Sequence, residues 1–194
     1  MGKIHQLSNH TINQIAAGEV VERPVSVVKE LVENSLDAGA DRIEIDIDDG
    51  GKSLIQIRDN GSGMELEDLE HSVMRHYTSK IEESDDLMNI SSFGFRGEAL
   101  ASISSVSAFS IASKSAEAEE GHIVKVDEAG DYDVSPHGMP VGTEVTVKDL
   151  FYNVPAREKF LKAPQTEFSH IAELVYQLAL VNPHVSFTLK KNGK

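Results

Sequence analysis

The 194-residue sequence lacks cysteine and tryptophan altogether. Without cysteine, the chain has no disulfide bonds, no zinc sites with thiolate ligands and no cysteine nucleophile. No apolar run approaches the ~20 residues that a membrane-spanning helix requires, and the N-terminus has no apolar signal segment. We therefore expect a soluble domain in the cytoplasm, and a chain of this length suits one domain with a sizeable core.

Positive charge is also scarce, since 32 Asp and Glu residues stand against 18 Lys and Arg residues, for a net charge of -14. Proteins owe much of their affinity for nucleic acids to the phosphates that they neutralise, so we expect this chain alone to bind DNA weakly. The same charge disfavours anionic membranes. Arg157, Lys159 and Lys162 form a small basic cluster, but such charge runs are usually solvated.

The common nucleotide-binding and hydrolase motifs are absent as well. The GGKS stretch at 50–53 resembles the end of a phosphate-binding loop, but position 46 is Asp where that motif requires glycine. The Gly61-Ser62-Gly63 turn lacks the third glycine of a dinucleotide-binding loop, because position 66 is Leu. No HExxH or GxSxG motif occurs, and the eight histidines show no ligand spacing.

Hydrophobic periodicity predicts an α+β fold. Apolar residues recur at helical spacing from Pro24 to Ala38, and isoleucines alternate with acids from Ile43 to Asp48 before a hairpin turn. Further strands are predicted at 54–59, 105–113, 121–127, 131–135, 142–149 and 184–189. Helices are predicted at 65–76, 155–161 and 166–181, with two more after the glycine turn in 94–104 and before Gly18. The pattern indicates a two-layer α/β sandwich, a mixed sheet with helices packed on one face.

Four short groups of residues remain as candidates for chemistry. Glu30 and Asn34 lie one turn apart on one face of the first long helix, although a solvated helix face has the same appearance. Asp59 shares the parity of Ile55 and Ile57, so its carboxylate faces the apolar side of the sheet where the strand ends. Glycine-rich turns after strands are mostly simple turns. The full set comprises Glu30, Asn34, Asp59, Gly61, Gly63, Gly94, Phe95, Arg96, Gly97, Glu98, Gly142 and Thr143.

Taken together, the four groups match what ATP requires. Asp59 can accept a hydrogen bond from the adenine amino group, and the glycines after it allow a planar base to lie against the backbone. Backbone N–H groups between Gly94 and Gly97 can bind phosphate oxygens. Asn34 can offer a carboxamide oxygen to Mg²⁺, which is content with one or two protein oxygens besides phosphates and waters. Glu30 can accept a proton from a water that attacks the γ-phosphate.

The stretches VKELVENSLDAG, IRDNGSGM, SFGFRGEALASI and GTEV resemble the ATPase domains of the gyrase–Hsp90–histidine kinase–MutL superfamily. IAAGEVVERP at 15–24 and DLFYNVPAREKFL at 149–161 resemble its DNA mismatch repair branch, and the other branches share the ATP motifs but not these two stretches. The resemblance covers essentially the whole chain. It implies the Bergerat-type ATP-binding fold over 1–194, and Mg-ATP binding and hydrolysis that drive conformational switching in mismatch repair.

The resemblance also implies roles for single residues. Glu30 matches the catalytic base and Asn34 the Mg²⁺ ligand, while Asp59 matches the acid that reads adenine, supported by Thr143. A lid over 77–100 is expected to cover the phosphates. Its matching residues are Lys80, Gly94, Phe95, Arg96, Gly97, Glu98, Ala99 and Leu100.

The family also implies partners. Two N-terminal domains are expected to form a homodimer through the arms at 1–23 when ATP binds, and the full-length protein to engage DNA and a mismatch-recognition protein at the bacterial nucleoid. Family members continue into a second subdomain that supplies a lysine to the γ-phosphate, so we expect this chain to be an N-terminal fragment. Two alternatives stay open: a module that binds Mg-ATP without efficient hydrolysis, and a plain α+β domain that uses none of these residues.

Overall fold

The fold was obtained as a computed structural model, which describes residues 17–18, 20–78, 97–127 and 129–194. Five complete α-helices and seven strands lie in this part of the chain. The helices are α1 (Pro24–Asp37), α2 (Leu66–Ser72), α3 (Ala99–Ser104), α4 (Pro155–Glu158) and α5 (Pro164–Val181). The strands are β1 (Arg42–Asp48), β2 (Leu54–Asp59), β3 (Ala108–Lys114), β4 (Gly121–Val126), β5 (Tyr132–His137), β6 (Gly142–Lys148) and β7 (Ser186–Lys191).

The strands form one mixed sheet in the order β5-β4-β3-β6-β2-β1-β7. Strands β1 and β7 pair in parallel, and every other pair is antiparallel. The predicted α+β class and the mixed sheet are therefore confirmed. The order also decides where the site lies, because β2 and β6 become neighbours and bring Asp59 opposite Thr143.

One face of the sheet carries the core. Ile43, Ile45 and Ile47 of β1 are at most 1% exposed, whereas the acids between them are only partly buried. Helix α1 packs on this face with the most deeply buried of its side chains, which are Val27, Val28, Leu31 and Val32. Burying one such aliphatic side chain stabilises the fold by about 1.5–3 kcal/mol. Helix α1 is thus fixed against the sheet, as the predicted two-layer arrangement requires.

The opposite face of the sheet is polar. Arg58 of β2 donates to Asp46 of β1 at 2.9 Å and to Glu144 of β6 at 2.5 Å. We call these three residues the outer charged row. Their side chains are between 19% and 39% exposed, so this face is a solvated one. Residues 58 and 59 therefore point to opposite sides of the sheet, as strand geometry requires.

Several predicted element boundaries were wrong. Strand β3 begins at Ala108 instead of at 105, and three helix ends also differ. Helix α2 ends at Ser72 instead of at 76, since His76 adopts a left-handed φ of 67° that an α-helix does not accommodate. Helix α4 ends at Glu158 instead of at 161, because the amides of Phe160 and Leu161 bind carbonyls three residues back, which tightens the last turn. Gly18 does not end the N-terminal helix, since the Val21 N–H donates to the Ala17 carbonyl at 2.8 Å across it.

The described residues of the arm pack into this domain. Ala17 and Val21 are fully buried in the core. A Cβ atom added at Gly18 would lie 1.8 Å from Nη2 of Arg157. The two stretches that distinguish the mismatch repair branch therefore contact each other in the fold. Within the described part of the chain, no helix is long and apolar enough to cross a membrane.

Candidate nucleotide-binding site

Asp59 ends β2 with its carboxylate turned toward α1. The Ser35 hydroxyl donates to Oδ2 at 2.8 Å, and the Gly61 N–H donates to Oδ1 at 2.9 Å. Burial raises the pKa of the Asp59 carboxyl above its ordinary value, and hydrogen bonds from Gly61, Ser35 and the Thr143 backbone offset only part of this effect. The protein therefore holds a desolvated carboxylate in a fixed orientation, and these three donors leave about one of its four lone-pair sites for a further donor.

Ser35 was not predicted as a site residue, because helical periodicity put it on the apolar stripe of α1. The structure buries it to 3% exposure, with its hydroxyl also 3.1 Å from the Leu31 carbonyl. A serine inside an apolar helix face is the one signal that could have drawn attention to it, since such hydroxyls need a partner when they are buried.

The turn after Asp59 is closely packed on both sides. The Ser62 N–H donates to the Ala38 carbonyl at 2.9 Å, which joins the turn to the end of α1. Gly63 has a φ of +68°, and a Cβ there would lie 1.9 Å from the Lys114 carbonyl oxygen of β3. Glycine is therefore required at 63 by both backbone conformation and space. The predicted glycines lie directly beside Asp59, but whether they contact a base stays a prediction.

Glu30 and Asn34 lie on α1, in the two turns that lead away from Asp59. Ser35, which contacts Asp59, directly follows Asn34 in the helix, and Glu30 lies one turn, about 5.4 Å, before Asn34 along the axis. The Glu30 side chain is 28% exposed, and its Oε1 lies 3.8 Å from Nζ of Lys29. Both side chains are partly exposed.

The available side-chain ligands suit Mg²⁺ better than a metal ion whose ligands all come from the protein. Among the described residues, no group of three or more His, Cys, Asp or Glu side chains could hold a metal ion. Mg²⁺ commonly binds through one or two protein oxygens together with substrate phosphates and waters. The carboxamide oxygen of Asn34 can provide such a ligand, with the Glu30 carboxylate one turn away.

The two described ends of the predicted lid are bound to each other. The His76 N–H donates to the Gly97 carbonyl at 3.2 Å, and Glu98 Oε1 lies 3.5 Å from His76 Nδ1. Gly97 has a φ of +60°, with Tyr77 packed so closely that a Cβ would lie 2.3 Å from its carbonyl oxygen. Glu98 then precedes α3, whose first residues are Ala99 and Leu100. Lys80, Gly94, Phe95 and Arg96 lie outside the described residues, so their phosphate contacts stay predictions.

Thr143 opens β6 directly opposite Asp59. Its hydroxyl lies 3.0 Å from the hydroxyl of Ser113, a buried residue of β3 that the sequence did not single out. A separate cavity of about 260 Å³ lies between the end of α2, α3 and the β4–β5 hairpin, and Glu30, Asn34 and Asp59 do not line it. The candidate site lies instead beside α1, at the last residue of β2 and the first residues of β6.

Residues 22–139 match the family described as histidine kinase-, DNA gyrase B-, and HSP90-like ATPase. The matched range contains Glu30, Asn34 and Asp59, and the chain belongs to this family of ATPases.

The most similar relatives narrow the family further. The chain is 57% identical to the DNA mismatch repair protein MutL of Mannheimia succiniciproducens over 98% of its own length and 30% of that protein. It is 54% identical to MutL of Xanthomonas campestris over 98% of its length and 31% of the relative. These matches make it a MutL-type N-terminal ATPase domain, which spans about 30% of the length of the curated relatives.

Solved structures agree with this assignment. The Aquifex aeolicus MutL ATPase domain complexed with ADP superposes with a TM-score of 0.74 at 44% identity, over 90% of this chain and 62% of that one. The N-terminal domain of a DNA repair protein gives a TM-score of 0.79 at 29% identity, over 96% of this chain and 54% of that one.

Proposed function

We propose that the chain binds Mg-ATP between α1 and the ends of β2 and β6, and that it hydrolyses the nucleotide. The observation that carries this proposal is the Asp59 carboxylate, desolvated and held by Ser35 and Gly61. An oriented carboxylate at the end of an apolar pocket wall is suited to accept a hydrogen bond from the exocyclic amino group of adenine. The ADP complex of the Aquifex relative supports an adenine nucleotide as the ligand.

Hydrolysis is proposed to depend on α1. Bound Mg²⁺ would neutralise charge on the phosphates, with Asn34 as its protein ligand. Glu30 would accept a proton from the attacking water, and a positioned base of this kind contributes about 10²–10⁴-fold to a rate. The side chain of Glu30 is 28% exposed, which leaves it accessible to water on the ligand side of the helix. The lid residues of 77–100, including Lys80, would close over the phosphates.

A second candidate is a module that binds Mg-ATP but hydrolyses it poorly. The chain spans only about 30% of its curated relatives, and the family resemblance assigns one phosphate-binding lysine to a region beyond 1–194. Under this alternative the base and metal contacts are the same, and only turnover is lost.

Two measurements on the chain test these proposals. Saturation with Mg-ATP at about 100 times its dissociation constant is expected to raise the free energy of unfolding by ~2.7 kcal/mol. No stabilisation at millimolar Mg-ATP would contradict both candidates. Single-turnover hydrolysis then separates them, because a rate equal to that of uncatalysed ATP hydrolysis leaves only the binding module.

The wider biological role is also a proposal. The MutL relatives support a role in DNA mismatch repair, and we propose a nucleotide-driven switch in which ATP binding promotes dimerisation through the arms at 1–23. DNA and a mismatch-recognition protein would be partners of the full-length protein in the bacterial cytoplasm and nucleoid, while the net charge of -14 would make DNA binding by this chain weak. Light scattering with a non-hydrolysable ATP analogue tests the dimer: a monomer at saturating analogue would contradict it.

A further inference from the structure

Three side chains form a continuous polar row across neighbouring strands. Asp59 of β2 pairs with Thr143 of β6, and Thr143 pairs with Ser113 of β3. Side chains of directly paired residues lie on the same face of a sheet. We call Asp59, Thr143 and Ser113 the inner polar row. It lies on the face that carries the core, and Ser113 is only 2% exposed.

The Ser113 hydroxyl contacts three separate segments. The Met64 N–H donates to Oγ at 2.9 Å, which attaches the turn after Asp59 to β3. The same Oγ lies 3.0 Å from the Gly142 carbonyl oxygen and 3.0 Å from Oγ1 of Thr143. These contacts use the full hydrogen-bonding capacity of the Ser113 hydroxyl, because it has one proton to donate and two lone pairs with which to accept.

This count of protons determines what Thr143 can offer to a ligand. When Ser113 donates to the Gly142 carbonyl, the Thr143 hydroxyl must donate to Ser113, and its lone pairs are then directed to the ligand side. When Ser113 donates to Thr143 instead, the Thr143 proton is directed to the ligand side. Ser113 therefore controls whether Thr143 acts as an acceptor or a donor beside Asp59.

We propose that Ser113 is a positioning residue for base recognition, acting through the Thr143 hydroxyl and the Gly63–Met64 turn. The inference rests on the proposed function, because it requires that a base lies against Asp59. Adenine presents an amino donor beside a ring-nitrogen acceptor, whereas guanine presents a carbonyl acceptor beside an N–H donor. When the Thr143 proton is committed to Ser113, only lone pairs face the base beside the carboxylate, which suits the amino donor of adenine; a hydroxyl without the Ser113 contact discriminates less well.

A comparison with another buried serine separates this role from ordinary packing. Ser107 is 3% exposed, and its hydroxyl donates to the Ile103 carbonyl four residues earlier at 2.7 Å. That bond stays within one short segment and touches no member of the inner polar row. Ser107→Ala is therefore a matched control for Ser113→Ala, with similar burial and the same atoms removed.

The experiment measures the affinity of Mg-ATP and Mg-GTP by calorimetry for wild type, Ser113→Ala and Ser107→Ala. The loss of one neutral hydrogen bond changes the binding affinity by about 2- to 12-fold. We expect Ser113→Ala to weaken ATP binding by about that factor and GTP binding by less than about twofold, so that the ATP preference narrows. Ser107→Ala is expected to leave the preference unchanged.

A double mutant tests whether the effect passes through Thr143. Thr143→Val removes the hydroxyl at nearly constant volume. In that background Ser113→Ala is expected to cost less ATP affinity than in wild type, since coupled residues are not additive. Additive costs, or equal weakening of ATP and GTP, would reduce Ser113 to a structural residue and overturn the inference.

A second variant covers a failure to fold. Ser113→Cys keeps a side chain of similar shape with a weaker donor and acceptor, and an ATP preference between those of wild type and Ser113→Ala is expected. A Cys variant that folds and keeps the full preference would overturn the inference while leaving the proposed function intact. A wild-type chain that binds no ATP would overturn the proposed function itself, and this inference with it.

Discussion

Asp59, Thr143 and Ser113, at the end of the site where we propose that the base binds (the base end), come from three adjacent strands. Protein hydrogen bonds of 2.8–3.0 Å hold their side chains. At the phosphate end, Glu30 and Asn34 come from one partly exposed helix face, and the described ends of the lid meet at His76 and Gly97. The base end is thus organised by the sheet before any ligand binds. The phosphate end depends on a surface helix face and on a segment that the ligand would contact.

We therefore expect nucleotide choice and turnover to be separable in this domain. Changes at the base end disturb a buried hydrogen-bonded arrangement and should alter affinity, base preference and stability together. Changes at the phosphate end alter partly exposed side chains of α1, and should affect the chemical step. Four predictions follow this division, beginning with the largest effect.

Glu30→Gln is expected to reduce single-turnover hydrolysis by about 100-fold or more, because it removes the proposed general base. The ATP dissociation constant should stay within about threefold, since the base contacts are unchanged. Glu33→Gln is the matched control, an acid of the same helix that pairs with Lys29 at 2.8 Å. It should retain wild-type turnover. Normal hydrolysis by Glu30→Gln, with rates followed by phosphate release, would remove Glu30 from the mechanism.

Gly63→Ala and Gly39→Ala form a pair that tests the packing of the base end. Both glycines have φ near +70° (+68° and +72°), but a Cβ at 63 meets the Lys114 carbonyl at 1.9 Å, while one at 39 has nothing within 4 Å. Each should lose ~1–2 kcal/mol to left-handed strain, and Gly63→Ala another ~1–3 kcal/mol to overpacking. Urea denaturation measures both. Equal losses would mean that the turn is not pressed against β3.

Asp59→Asn should change how stability depends on pH. Burial raises the pKa of this carboxyl above the ordinary 3.8, so the folded state binds the proton more tightly than the unfolded state. Its contribution to stability is fully present below the unfolded pKa and is lost as pH rises through the folded pKa. The free energy of unfolding of Asp59→Asn should therefore rise relative to wild type as the pH increases from below the unfolded pKa to above the folded pKa.

That comparison requires denaturation curves of both proteins at several pH values. An offset between them that does not change with pH would show that Asp59 titrates normally in the fold. It would also show that the base end is more hydrated than the hydrogen bonds from Ser35 and Gly61 imply.

Arg58→Ala is expected to have the smallest effect, although Arg58 is the neighbour of Asp59 in sequence. The substitution removes the two ion pairs of the outer charged row, whose side chains are 19–39% exposed. Ion pairs of this kind contribute only about 0–1 kcal/mol. ATP affinity and base preference should stay within about twofold of wild type. A larger change in ATP affinity would mean that the two faces of the sheet are coupled.

The sequence alone predicted those parts of the fold and site that depend on local pattern. The Pro24–Asp37 helix follows from apolar spacing with Pro at its first turn, and the inward direction of Asp59 follows from strand parity. The order of the strands does not follow from local pattern, because pairing is decided by contacts between distant segments. The parallel pairing of β7 with β1 is a result of that kind.

Ser35 and Ser113 were missed for the same reason. Each looks like a polar interruption of an apolar stretch, and its partner comes from an element that the chain reaches only after folding. The contact between Gly18 and Arg157 joins two stretches that the sequence singled out without any indication that they meet. Local patterns thus identified the candidate site residues, and tertiary register identified the residues that contact them.

The most direct test of the account is calorimetric binding of Mg-ATP and Mg-GTP to the wild-type chain and to Asp59→Asn. We predict that the wild type prefers ATP, and that Asp59→Asn weakens ATP binding by ~1.5–3 kcal/mol, the range for a hydrogen bond to a charged group, with much of the preference lost. An ATP affinity and an ATP-over-GTP preference that are both unchanged in Asp59→Asn would contradict the central claim that this carboxylate reads the base.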